Sequence, residues 1–358
     1  MGKTKENITV GDRDRGTILK EHFPMLRDRE EILTEIHNNW KYQQTFIKWT
    51  EKQQEKFLDI CTGVIAPDMC YDSFFKEAVN PEYTPERLSD FLSEIMGQKV
   101  RVVNVLPNDS VRITLENTLL ITDIVVELED GSFADIEMQK IGYKFPGERA
   151  ACYIADLLLR QYKRVRGEKK DVDYRDIKPV YLIVIFEKSP EEFKAKVEDE
   201  NGELRKMDTY IHHVVPKSDT GVKLNLLNNF CFIALDMFEK KMHNKPIENR
   251  CEAWLRFFSS QEPEKVVELI TDYPEFKPMY EDVYRLCMDT GRVMNVFSEE
   301  LYVLDQNTMK LMIDEMQDEV DDLKEENDDL KEEIDGLQKT NDNLQNKLRA
   351  YKEKYGDL

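Results

Sequence analysis

From Ile313 to Tyr351 the chain keeps one rhythm. Ile313, Met316, Val320, Leu323, Asn327, Leu330, Ile334, Leu337, Asn341, Leu344, Leu348 and Tyr351 follow at alternating intervals of three and four. This is an a/d stripe about six heptads long, and a stripe that narrow is buried only against another helix. Asn327 and Asn341 occupy a positions, with Leu at the d positions between them. That pattern favours a parallel two-stranded coil, because buried amides pair across the axis. In such a coil Glu319 and Glu326 at g meet Lys324 and Lys331 at e of the partner helix. Gly336 falls at c, where it weakens the helix and leaves the seam alone. Residues 306–358 therefore read as a coiled coil that joins a homodimer, with an antiparallel or intramolecular helix pairing as the plain alternative.

The tail is also the most acidic part. It holds 16 acids and 7 bases over residues 313–358, in a chain whose net charge is -21. The body is acidic as well, which excludes a globally basic nucleic-acid binder and leaves room for a local basic surface. Hydrophobic residues make up 41%, enough for a core and too many for wholesale disorder. The 358 residues allow two domains and an appendage. The six cysteines form no C-x-x-C pair, so neither a disulfide framework nor a zinc module is expected. Mostly packed, reduced thiols and an N-terminus without an apolar stretch point to a cytoplasmic protein. The longest apolar run, Val180–Phe186, is too short for a bilayer of ~20 residues, so no membrane partner is expected.

Residues 1–70 read as a helical extension, with one or two amphipathic helices between Arg29 and Cys61. Next, Thr84-Pro85 opens a helix whose buried face is Leu88, Phe91, Leu92, Ile95 and Met96, and Gly97 ends it. Strands are expected at Val100–Leu106, Leu119–Leu128 and Phe133–Lys140, with a turn at Asp130-Gly131. A helix follows from Pro146 to about Arg164, then a buried strand at Val180–Phe186. Helix, three strands, helix and strand make an α/β core around one mixed sheet over residues 71–190. Residues 191–305 read as an accessory α/β region packed on that core. It contains a strand near Phe230–Leu235 and helices at Asn249–Phe258 and Pro263–Ile270.

Alternation places Asp123, Val125 and Glu127 on one face of their strand, and Asp135, Glu137 and Gln139 on one face of the next. A two-residue turn would pair Asp123 with Met138 and mix the faces. A three-residue loop, Asp130-Gly131-Ser132, pairs Asp123 with Gln139 and Val125 with Glu137 and keeps the apolar sets together. That loop, with Gly131 left-handed, is the expectation. Asp123, Glu137 and Gln139 then converge. Two neighbouring carboxylates need a cation or proton between them, and hard oxygen ligands suit Mg²⁺, or Mn²⁺ in its place. A solvated polar face on an edge hairpin has the same pattern.

A co-linear set of segments resembles the PD-(D/E)XK nuclease superfamily, in its transposase-like, recombination-promoting branch. The segments are Asp72-Ser-Phe-Phe-Lys76, Leu88-Ser-Asp-Phe-Leu92, Asp123-Ile-Val-Val, Asp130-Gly131, Ile136-Glu-Met-Gln139, and Glu148-Arg149 with Tyr153. Gln161, Gly167, Tyr174 and Lys178-Pro-Val-Tyr-Leu-Ile-Val184 complete the set. The resemblance implies a restriction-endonuclease-like αβββαβ core and metal-dependent DNA cleavage. Asp123 and Glu137 become the metal ligands. Gln139 stands where the superfamily's lysine usually does, and Thr122 stands in place of its proline. Gln139 can orient a water but brings no positive charge, and Lys140 points to the opposite face.

On the helix after Pro146, Arg149, Tyr153, Asp156, Arg160 and Lys163 form a polar stripe facing away from Ile154 and Leu158. The densest basic run, from Lys163 through Arg164 and Arg166 to Lys170, follows it. Arg149, Tyr153, Arg160, Lys163, Arg164 and Arg166 are the candidate DNA contacts, and a solvated helix end is the plain alternative. Two rivals to the enzyme remain. One is a degenerate nuclease fold kept as a dimeric DNA-binding or protein-interaction module. The other is a coiled-coil scaffold whose α/β unit binds a protein.

Overall fold

A computed structural model describes residues 18–107, 124–142, 146–168, 173–198 and 204–356. The chain divides into two compact units, with the boundary between Leu304 and Asp305. After a helical turn at residues 18–22, the first unit continues with α1 (Arg29–Asn38), α2 (Trp40–Phe46), α3 (Glu51–Thr62), α4 (Asp72–Val79) and α5 (Pro85–Met96). Three strands follow, β1 (Val102–Leu106), β2 (Ile124–Leu128) and β3 (Phe133–Gln139), then α6 (Pro146–Glu168) and β4 (Val180–Phe186). This is the expected order of helix, three strands, helix and strand. The chain continues through β5 (Lys196–Glu198), β6 (Leu204–Lys206), β7 (Ile211–Val214) and β8 (Asn228–Ala234). Helices α7 (Leu235–Lys241), α8 (Arg250–Ser259), α9 (Pro263–Asp272), α10 (Lys277–Met288) and α11 (Thr290–Tyr355) complete it.

The main sheet has six strands in the order β1-β2-β3-β4-β8-β7. β3, β4 and β8 run parallel, and antiparallel neighbours flank them on both sides. Thus β7 and β8, from the stretch read as accessory, lie in the same sheet as the core strands. The helical N-terminus is likewise continuous with the rest. Phe57, Trp49 and Phe297 pack together, and Phe91, Trp254 and Phe258 do the same, within one apolar core. That core covers one face of the sheet, through Ile124, Val126, Ile136, Ile183 and Ile233. The other face is covered by α6, through Ala150, Tyr153, Ile154 and Leu157 against Val125, Val184 and Phe232. β4 is apolar at every position because both its faces are covered.

The β2–β3 register departs from expectation by two residues. Val125 pairs with Asp135 and Glu127 with Phe133, where the sequence reading pairs Val125 with Glu137. The loop does have three residues, and Gly131 is left-handed at φ +82°, but the loop is Glu129-Asp130-Gly131. Ser132 donates its N–H and its hydroxyl to the Asp130 carboxylate at 2.9 Å each. The Leu128 N–H donates to the Ser132 carbonyl at 2.8 Å, which draws Ser132 into the ladder. The Glu129 N–H turns instead to the Arg101 carbonyl, at 2.8 Å. A shift of two leaves every side chain on its expected face. Asp123, and the expected strand before Ile124, lie outside the described residues.

In the second unit α11 continues as one helix, and its a/d residues from Ile313 to Tyr351 are 45–66% exposed. Among the described residues no helix is long and apolar enough to cross a membrane.

Candidate active site

The polar face of β3 is not solvated. Asp135 is 0% and Glu137 2% exposed, because α6 lies over them. A carboxylate taken out of water is costly unless it is paired or holds a cation, so an edge-hairpin surface does not describe this face. Each residue has a fixed neighbour on β4: Asp135 lies beside Leu182, Glu137 beside Val184 and Gln139 beside Phe186. The Gln139 amide donates to the Glu137 carboxylate at 3.3 Å.

Glu137 and Gln139 line a pocket with Pro146, Arg149, Ala150, Tyr153, Val184, Phe186 and Phe232. The space open to water centres there is about 20 Å³, enough for a water or an ion and little more. Among the described lining residues Arg149 is the one cation. The apolar lining residues lower the local dielectric, so charges here act more strongly than in water. The donor set suits a hard divalent cation: a buried carboxylate, with an amide beside it.

Helix α6 distributes the candidate DNA contacts unevenly. Arg149 and Tyr153 sit in the pocket, and Tyr153 and Asp156, both 8% exposed, turn toward the sheet. The stripe therefore flanks the buried seam, which corrects the expectation that it faces away. Arg160 donates to Asp156 at 2.6 Å and to the Pro107 carbonyl at 3.2 Å. Arg164 donates to Glu127 at 2.9 Å and to the Gly131 carbonyl at 3.2 Å. Gln161, fully buried, donates to that same carbonyl at 2.7 Å. Arg164 and Gln161 thus tie α6 to the hairpin turn, and Arg160 ties it to the end of β1. Lys163 and Arg166 are exposed, but a rise of ~1.5 Å per residue separates them from Arg149 by roughly 20–25 Å. Glu94 lies beside Cys251, and it is not among the pocket residues. His212 and His213 belong to no group with metal-ligand spacing among the described residues.

A second cluster went unread in the sequence. On the opposite face, acceptor atoms of Asp68, Cys70 and Glu187 lie within 4.8 Å of one another. Lys140 turns toward this cluster, as alternation requires. Its ammonium stands 3.2 Å from the centre of the Tyr71 ring, 3.5 Å from Asp68 and 3.7 Å from Glu300. Lys56 is also 3.5 Å from Asp68. Burial pushes the Glu187 carboxyl up, and burial also pushes Glu300 up to about 7. Burial raises the Cys70 thiol well above its usual range, and its Sγ faces the Phe258 carbonyl at 3.5 Å. The cluster already contains two cations of its own. Its members are up to 244 residues apart, from Lys56 to Glu300, so no local pattern links them.

The family model described as PD-(D/E)XK nuclease family transposase matches residues 70–312. No curated protein and no solved structure matches the chain.

Proposed function

The chain belongs to the PD-(D/E)XK nuclease family transposases, and from that premise we propose that it is a metal-dependent DNA endonuclease. The observation that carries the proposal is a buried Glu137 bonded to Gln139 beneath Arg149 and Tyr153. Asp123 and Glu137 hold the metal, Mg²⁺ or Mn²⁺. Asp123 is one peptide bond from Ile124, which pairs with Ile136 beside Glu137, and the family pattern gives it this role. A divalent cation here would polarise a phosphodiester oxygen and lower the pKa of a bound water. The Gln139 N–H₂ is directed at Glu137, so its carbonyl oxygen is left to accept a hydrogen bond from the attacking water and orient it. Arg149 supplies the positive charge that the superfamily takes from lysine, and binds the scissile phosphate. Tyr153 holds the pocket wall and offers its hydroxyl to the same phosphate. Lys163 and Arg166 contact the DNA backbone farther along. The protein acts as a homodimer joined through the apolar seam of α11, so that two sites reach one duplex.

The test is cleavage of supercoiled plasmid with Mg²⁺, beside EDTA and beside Asp123→Ala and Glu137→Gln proteins. Cleavage that needs the metal and both carboxylates is the expected result. Metal-independent cleavage, or cleavage surviving either substitution, overturns the assignment. One observation favours a second reading: among the described residues no lysine lines the pocket, and Lys140 is held on the other face. A DNA-binding module without catalysis predicts shifted DNA on a gel and an intact plasmid.

A further inference from the structure

The strand that carries Glu137 and Gln139 ends on a charge cluster whose purpose the pocket does not explain. Lys140 follows Gln139 directly, and its side chain is 11% exposed between Asp68, Glu300 and the Tyr71 ring. Asp68 is itself fastened by the Cys70 N–H at 3.2 Å and by Lys56. Glu187, just past the end of β4, joins the cluster through its side chain. Its backbone N–H donates to the Gln139 carbonyl at 2.8 Å. The ends of β3 and β4 are therefore anchored in one place, against the segment before α4 and the start of α11.

Buried ion pairs add little to stability compared with an apolar filling of the same volume. What such a group supplies is a single defined position. A metal site needs that, because a carboxylate displaced by ~1 Å loses much of its effect.

We infer that this cluster braces the candidate active site from behind, with Lys140 as a positioning residue that acts through Gln139 and Glu137. The inference rests on the reading of those two residues as the site. It does not make Lys140 a catalytic group, since its ammonium is on the other face of the sheet.

The test uses the full chain and a charge-balanced pair of substitutions, Lys140→Met with Glu300→Gln. Three quantities are measured: Mn²⁺ affinity by electron paramagnetic resonance, plasmid cleavage with kcat and KM separated, and the melting temperature. A folded variant should lose about 10–100-fold in Mn²⁺ affinity and in kcat, as supporting partners of metal ligands do, with KM for DNA unchanged. Should the pair fail to fold, Lys140→Arg keeps the charge, changes the reach and is read in the same way, with a smaller loss expected. Wild-type Mn²⁺ affinity and kcat in a folded variant overturn the inference. If the unsubstituted protein binds Mn²⁺ through Glu137 yet cuts nothing, the nuclease reading fails and the brace is judged on affinity alone. If it binds no Mn²⁺, both fall.

Discussion

On the proposed function Glu137 is the residue on which the chemistry turns, and its burial sharpens what a substitution should do. Glu137→Gln keeps the volume and removes the charge. Cleavage should fall by on the order of 10²–10³-fold or more, while circular dichroism stays unchanged. Arg149→Ala should cost a comparable factor in kcat if its guanidinium replaces the missing lysine, and Arg149→Lys should restore part of it. Glu300 gives a pH signature. Its carboxyl titrates near 7 in the folded protein, against a usual value near 4.5, so the folded state holds the proton more tightly. The corresponding stability is present below about pH 4.5 and is lost as pH rises to about 7, by up to about 3 kcal/mol. Thermal melts at pH 5.5 and pH 8 should differ less for Glu300→Gln than for the unsubstituted protein.

At the scale of elements, the β2–β3 hairpin and α6 depend on each other. Arg164 and Gln161 both bond the Gly131 carbonyl. A Cβ on Gly131 would come within 3.2 Å of the Arg164 guanidinium, at a backbone angle that only glycine adopts freely. Gly131→Ala should therefore destabilise the protein by roughly 1–3 kcal/mol, seen as a lower urea midpoint. Helix α11 poses a different problem, because its seam from Ile313 to Tyr351 is uncovered in a single chain. In the proposed parallel homodimer, Asn327 and Asn341 would pair across the axis with their counterparts in the second copy. Leu330→Lys with Leu337→Lys should convert a dimer to a monomer in analytical ultracentrifugation and leave the melting of the first unit unchanged.

For the whole molecule, the division into two compact units lets folding be tested apart from the proposed assembly. The matched family region ends at residue 312, before the heptads begin. A chain ending there should fold, and it should nick plasmid without linearising it, because one site then meets the duplex at a time. Gel analysis of the product ratio distinguishes this from a chain whose α11 serves only as a tether for another partner. That chain would give the same ratio with and without the tail.

Local periodicity carried most of what could be read from residues alone. Period two placed Glu137 and Gln139 on one face and Lys140 on the other. The spacing of Ala150, Ile154 and Leu157 placed α6 on the sheet, and alternating threes and fours marked the seam of α11. These are properties of neighbouring residues, and backbone geometry fixes them before any packing occurs. The two-residue register shift was not legible, because a slip of two preserves every face and only the Asp130–Ser132 and Glu129–Arg101 bonds choose between the options. The burial of Asp135 and Glu137 was not legible either, since it depends on a helix closing over them. Nor was the meeting of Asp68, Glu187 and Glu300 around Lys140. Such groups are far apart in the chain, and only the closing of β3 and β4 against the helical layer brings their charges within reach of one another.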